Sequence, residues 1–152
     1  MTENSLREKL GILLVILHFG ILALVFVTFL RGGFRFDEFT TSVAIIVPMF
    51  AGYTTAIIVY YSRNRFKIND ESQEITAIYA IMSAAFPLIL FVALSTSVLL
   101  FATSEVFKNF EEFKGTLTFL ETVFSAYVAK LVYTLFEKVN PTDKEASEAR
   151  EK

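Results

Sequence analysis

The sequence predicts an all-α integral membrane protein, a four-helix transmembrane bundle, on three observations. Of its 152 residues 54% are hydrophobic and only 20% charged, and the mean hydropathy of +0.53 is more than a water-soluble domain needs. Four long runs are poor in charge, each about long enough to cross a hydrocarbon core of roughly 30 Å at about 1.5 Å per residue. The segments between them are too short for a separate soluble module, so residues 1–152 are expected to form one membrane domain.

The first span, residues 10–30, carries no charge and is interrupted only by Gly11, His18, Gly20 and Thr28. It is too long and too evenly apolar for the core of a signal peptide. Arg31, Gly32, Gly33 and Phe34 follow in place of a small-residue cleavage site, so the span is expected to stay in the mature protein. The second, residues 42–62, holds Pro48 and Gly52, which a membrane helix accepts more readily than a soluble one, and a kink is expected at Pro48. The third, residues 75–101, is longer than a perpendicular crossing requires and carries Pro87, a second expected kink. Asp70 and Gln73 have the spacing of a cap for it. The fourth, residues 116–136, contains Glu121 and Lys130. Each costs about 2.5–3.5 kcal/mol near the bilayer centre, so this helix needs neighbours to insert.

With four spans, the N-terminus, residues 63–74 and the tail share one side. That side carries Arg7, Lys9, Arg63, Arg65, Lys67, Lys138, Lys144, Arg150 and Lys152, against Arg31, Arg35, Lys108 and Lys114 on the other. The positive-inside rule then places both termini in the cytoplasm, as in a multi-pass protein of a bacterial plasma or inner membrane. Tyr60, Tyr61, Tyr79 and Tyr133 fall at the same ends of the spans, at headgroup depth. Arg63, Arg65 and Lys67 form a basic run beside the membrane that attracts anionic lipid. In the opposite loops, Phe34, Phe36 and Phe39 alternate with charges. Phe107, Phe110 and Phe113 recur every third residue, the pattern of a short interfacial helix between spans three and four, hinged at Gly115. The tail from Asn140 reads as a short solvated helix or a disordered end.

Polar residues inside the spans are the candidates for function. At about 100° per residue, Thr118, Glu121, Thr122 and Ser125 share one arc of span four, which must turn toward other helices or toward water. Lys130 lies about 180° round and nearly 14 Å along from Glu121, so any partner of either is on another helix. The ordinary role of Lys130 is to lift its ammonium toward the cytoplasmic surface. His18, in the middle of span one, is the only histidine; it is a proton sensor or relay if Glu121 reaches it and otherwise a hydrogen-bonded packing residue. Ala44, Pro48, Ala51 and Thr55 on span two, and Ala80, Ala84 and Pro87 on span three, follow helical spacing and allow close packing of backbones.

Composition removes several classes of function. Without cysteine there are no disulfides, thiolate metal sites or thiol nucleophiles, and one histidine supports neither a multi-histidine metal cluster nor a bis-histidine haem. No metal and no cofactor is expected. A net charge of -2 offers no basic surplus for nucleic acid. Paired carboxylates, a Ser-His-Asp set and a phosphate loop are all missing at workable spacing, so no enzyme is expected. Two readings lead. One is a homo-oligomeric channel or pore in which copies of Thr118, Glu121, Thr122 and Ser125 form rings and Glu121 favours cations. The other is a membrane anchor, scaffold or effector subunit, as in a bacterial defence system, that presents residues 63–74 and the tail to a soluble cytoplasmic partner. Behind these stands a proton-coupled exporter. The proportions are similar to those of the small four-helix multidrug transporters, which carry an essential acid in the first helix, where this chain has His18.

Overall fold

The computed structural model of the chain describes residues 2–64, 75–103 and 106–136. They form four helices: α1 Glu3–Leu30, α2 Phe36–Asn64, α3 Ala77–Ala102 and α4 Phe110–Phe136. Three of these, α1, α2 and α3, are long and apolar enough to cross a membrane, which marks the chain as a helical membrane protein. α4 has the length, and its apolar stretch carries Glu121 and Lys130; within the described residues it does not count among these three.

Each helix is built by a different local device. The Thr2 side chain accepts a hydrogen bond from the Ser5 amide and caps α1, with Glu3 in the first turn. α1 ends where Gly32 takes φ 79° and its amide donates to the Phe29 carbonyl, a left-handed turn that glycine enters without a Cβ penalty. At the start of α2 the Glu38 carboxylate accepts from the Arg35 amide at 2.7 Å. At the start of α4 the Asn109 side chain accepts from the Glu112 amide, and the Glu112 carboxylate accepts from the Lys108 amide. α2 and α3 run unbroken through Pro48 and Pro87.

Two expectations change here. The helices begin earlier than the uncharged runs: α1 by about two turns, α2 and α4 by more than one, because charged turns flank the apolar stretches without interrupting the backbone ladder. The interfacial helix expected around Phe107, Phe110 and Phe113 is not a separate element. Residues 106–109 are non-helical, and from Phe110 the chain is already α4, which passes straight through Gly115. The proposed cap from Asp70 and Gln73, the residues Arg65 and Lys67, and the tail lie outside the described residues.

α1 packs against α2 and α3, and α4 packs against the same two helices, so the order around the bundle is α1, α2, α4, α3. Arg7 meets Tyr60 at one end and Phe29 meets Phe36 at the other, so α1 and α2 run antiparallel. Tyr127 on Ser83, with Phe101 on Phe110, gives the same relation for α3 and α4. The start of α1 and the end of α4 therefore lie at one end of the bundle, where Leu6, Leu10, Tyr53, Ile57, Val128 and Leu131 share a core cluster. The other end has its own cluster, with Ile21, Val25, Phe34, Ile46, Val98, Phe113 and Leu117. Phe34, Phe101 and Phe113 stack there at centroid distances of 4.6–5.6 Å, so Phe113 is core and not an interfacial anchor. Gly33 closes that end. A Cβ on it would lie 2.8 Å from Thr28 Cγ2 and 3.0 Å from Ala102 Cβ, a separation between α1 and α3 that only glycine permits.

Candidate functional site: a polar layer and a polar outer edge

The two apolar clusters are separated by a layer that contains the central ionisable residues. His18 of α1 falls between Leu14 and Ile21, one in each cluster, and Glu121 of α4 falls between Leu117 and Phe124 in the same way. Both are almost fully buried. The imidazole is enclosed by aromatic rings: Phe50 stacks on it at 5.5 Å, while Tyr53 and Phe124 approach edge-on or tilted at 5.1 and 4.9 Å. The Tyr53 hydroxyl donates to the Leu14 carbonyl at 3.1 Å, the carbonyl the imidazole also lies beside, and Tyr53 is within electrostatic range of Glu121. His18 and Glu121 form no ion pair, and His18 Nε2 and both Glu121 carboxylate oxygens have no hydrogen-bond partner among the described residues. A cavity of about 10 Å³, lined by Leu17, His18, Ile21, Phe91, Leu94 and Phe124, opens beside the imidazole. It is large enough for about one water, but its lining beyond His18 is apolar.

The arc read from α4 is divided by the bundle. Glu121 turns inward, Ser125 is half-buried and donates to Met49 Sδ on α2, and Thr118 and Thr122 are exposed on the outside. The threonine hydroxyls donate to the carbonyls of Lys114 and Thr118 one turn back, so their polarity is already satisfied within α4. Lys130 is exposed and makes no ion pair among the described residues. His18 and Glu121 thus come into one layer, while Thr118, Thr122 and Lys130 stay on the exterior.

The outward surface differs from edge to edge. On α2, Met49 reaches toward α4 and Phe50 toward α1, so Pro48, Gly52 and Thr55 fall on the α4 side, and Val47, Ile58 and Tyr61 on the α1 side. On α4, Thr118, Thr122 and Ala129 lie within about 60° of Ser125 and complete an α2–α4 edge of small and hydroxylated residues, interrupted by exposed Val59 on the Gly52 face of α2. The opposite α1–α3 edge exposes Ile16, Val27, Leu88 and Val92, side chains suited to acyl chains.

Arg7, which the sequence counts only among the charges of the cytoplasmic side, is buried. Its guanidinium bonds Glu3 one turn earlier and Asn4, donates to the Tyr60 hydroxyl at 2.6 Å, and sits over the Tyr60 ring at 5.2 Å. The Glu3 to Arg7 spacing of one helical turn was the available signal. Of the basic run, Arg63 falls in the last turn of α2. No protein-family model, curated protein or solved structure matches the chain.

Proposed function

We propose that the chain is a subunit of a homo-oligomeric membrane pore, in which all four helices cross the bilayer and the α2–α4 edges of the copies surround a water-accessible path. The observation that carries this reading is the outer face of α4. The helix that carries Glu121 and Lys130 inside its apolar stretch turns Thr118, Thr122, Ala129 and Lys130 away from its own bundle. The threonine hydroxyls are satisfied by their own helix, so it is the Lys130 charge and the small side chains that suit water or another protein surface better than acyl chains. The α1–α3 edge, which exposes large aliphatic side chains, then faces lipid. The path is lined by Thr118, Thr122, Thr55 and Gly52, and Glu121 acts inside each protomer instead of forming a ring in the lumen. The excess of basic residues at the end holding both chain termini sets that end in the cytoplasm, as for a bacterial inner-membrane protein.

The absence of cysteine makes the test direct. In liposomes, Thr118→Cys and Thr122→Cys react with a charged, membrane-impermeant thiol reagent and lose ion flux, whereas Ile16→Cys and Val92→Cys do neither. A purified protein that stays monomeric in mild detergent and conducts nothing overturns the proposal.

A further inference from the structure

Among the described residues, two exposed charges near the same end of the bundle have no ion-pair partner. Lys130 lies six residues before the end of α4 and Glu8 five residues after the start of α1, each about 8–9 Å inside its helix end. Both are exposed, and the ion pairs among the described residues are Arg7 with Glu3, Arg35 with Asp37, and Lys114 with Glu111. They stand at one level, because Leu6 and Leu10 beside Glu8 pack in the same cluster as Val128 and Leu131 beside Lys130. They stand on opposite edges. Glu8 is within electrostatic range of Tyr61 and so lies on the α1–α2 edge. Lys130 is about 140° round α4 from Ser125, which faces α2, and about 60° outward of Tyr127, which bonds α3; it therefore lies on the α3–α4 edge.

We propose that neighbouring copies pack head to tail, the α3–α4 edge of one against the α1–α2 edge of the next, with Lys130 paired to Glu8 of the adjoining copy. This rests on the oligomeric reading above and names its interface. A second correspondence supports it. Eleven residues from Lys130, on the same side of α4, is exposed Phe119; eleven residues from Glu8, on the same side of α1, is exposed Phe19. Since α1 and α4 are antiparallel, the two phenylalanines also share a level, and one displacement of a copy brings the charges and the aromatics together. The arrangement excludes a two-fold contact through either edge alone, which sets Lys130 against Lys130 or Glu8 against Glu8. It also leaves the α2–α4 edge on one flank of every copy and the α1–α3 edge on the other, so that a closed ring has its hydroxyls inside and its large aliphatic residues outside.

The experiment is disulfide cross-linking in native membranes, with oligomeric state measured independently by light scattering in mild detergent. The Glu8→Cys, Lys130→Cys double variant is expected to give a ladder of cross-linked multimers on oxidation, and each single variant none. Lys130→Glu is expected to lose the oligomer and Lys130→Glu with Glu8→Lys to recover it. A wild-type oligomer whose double-cysteine variant gives no ladder overturns the Glu8–Lys130 contact and leaves the pore reading standing. A monomeric wild type overturns both. The cysteine variants retain small, uncharged side chains at exposed positions, so the ladder reports on the contact even where charge reversal impairs folding.

Discussion

The Tyr53 hydroxyl donates to the Leu14 carbonyl across the α1–α2 contact, although Leu14 sits inside a helix whose carbonyls already serve its own backbone ladder. Tyr127 makes the same kind of bond to the Ser83 carbonyl across the α3–α4 contact, at 3.0 Å. Each antiparallel pair is thus held by one tyrosine reaching a neighbour's backbone, in surroundings where few other donors compete. Tyr53→Phe and Tyr127→Phe are each expected to lower stability by about 0.6–1.5 kcal/mol. Equilibrium unfolding in mixed detergent micelles measures it, and an unchanged midpoint for both variants contradicts the assignment.

Close approach at Gly33 predicts a position-specific effect of a single methyl group. Gly33→Ala places its Cβ against Thr28 and Ala102 and should lower stability by about 1–3 kcal/mol. Gly52→Ala and Gly115→Ala meet nothing within 4 Å and should hold or raise the thermal midpoint, since alanine favours helix by about 1 kcal/mol. Thermal unfolding of the three variants in one detergent separates the cases.

Glu121 stands buried with neither carboxylate oxygen bonded among the described residues. Removing such a group relieves a desolvation cost, so Glu121→Leu is expected to raise protomer stability by about 1–3 kcal/mol. Because Glu121 faces the interior of its own bundle, Glu121→Gln should leave the cation preference of liposome flux unchanged. A shift in that preference returns Glu121 to the lumen.

The proposed topology predicts opposite accessibility of two exposed positions. Thr76, beside the start of α3, belongs to the end that holds the beginning of α1, and Val106 to the other end. In intact cells, Val106→Cys should react with an impermeant maleimide, and Thr76→Cys only after the membrane is opened. Labelling of both from outside removes the four-crossing arrangement.

Four helices were legible because each charge-poor run matches the bilayer thickness, three of them without a charge and the fourth interrupted only by Glu121 and Lys130. Their true starts were not, since Glu3 to Lys9, Phe36 to Thr41 and Phe110 to Gly115 continue the backbone ladder without apolar periodicity to reveal it. The rotation of α4 escaped the sequence for another reason. The arc of Thr118, Glu121, Thr122 and Ser125 is about 100° wide, but the larger side chains Phe113, Leu117, Phe124, Val128 and Leu131 decide which way the helix faces. Their centre lies beside Glu121 and opposite Thr122, so the acid is drawn inward and the threonine turned out. The phenylalanines at the far end misled through the same competition: spacing of three suits an interface, yet Phe34 and Phe101 offered Phe113 an aromatic pocket.

Within the protomer, the Leu6–Leu131 group and the Ile21–Leu117 group are joined through a waist where His18 Nε2 and both Glu121 carboxylate oxygens have no partner among the described residues. Such a plane is where cohesion is least. Because every helix runs unbroken through both groups, water that enters this plane loosens the two together, and the molecule should melt as one unit whose midpoint is set at its waist.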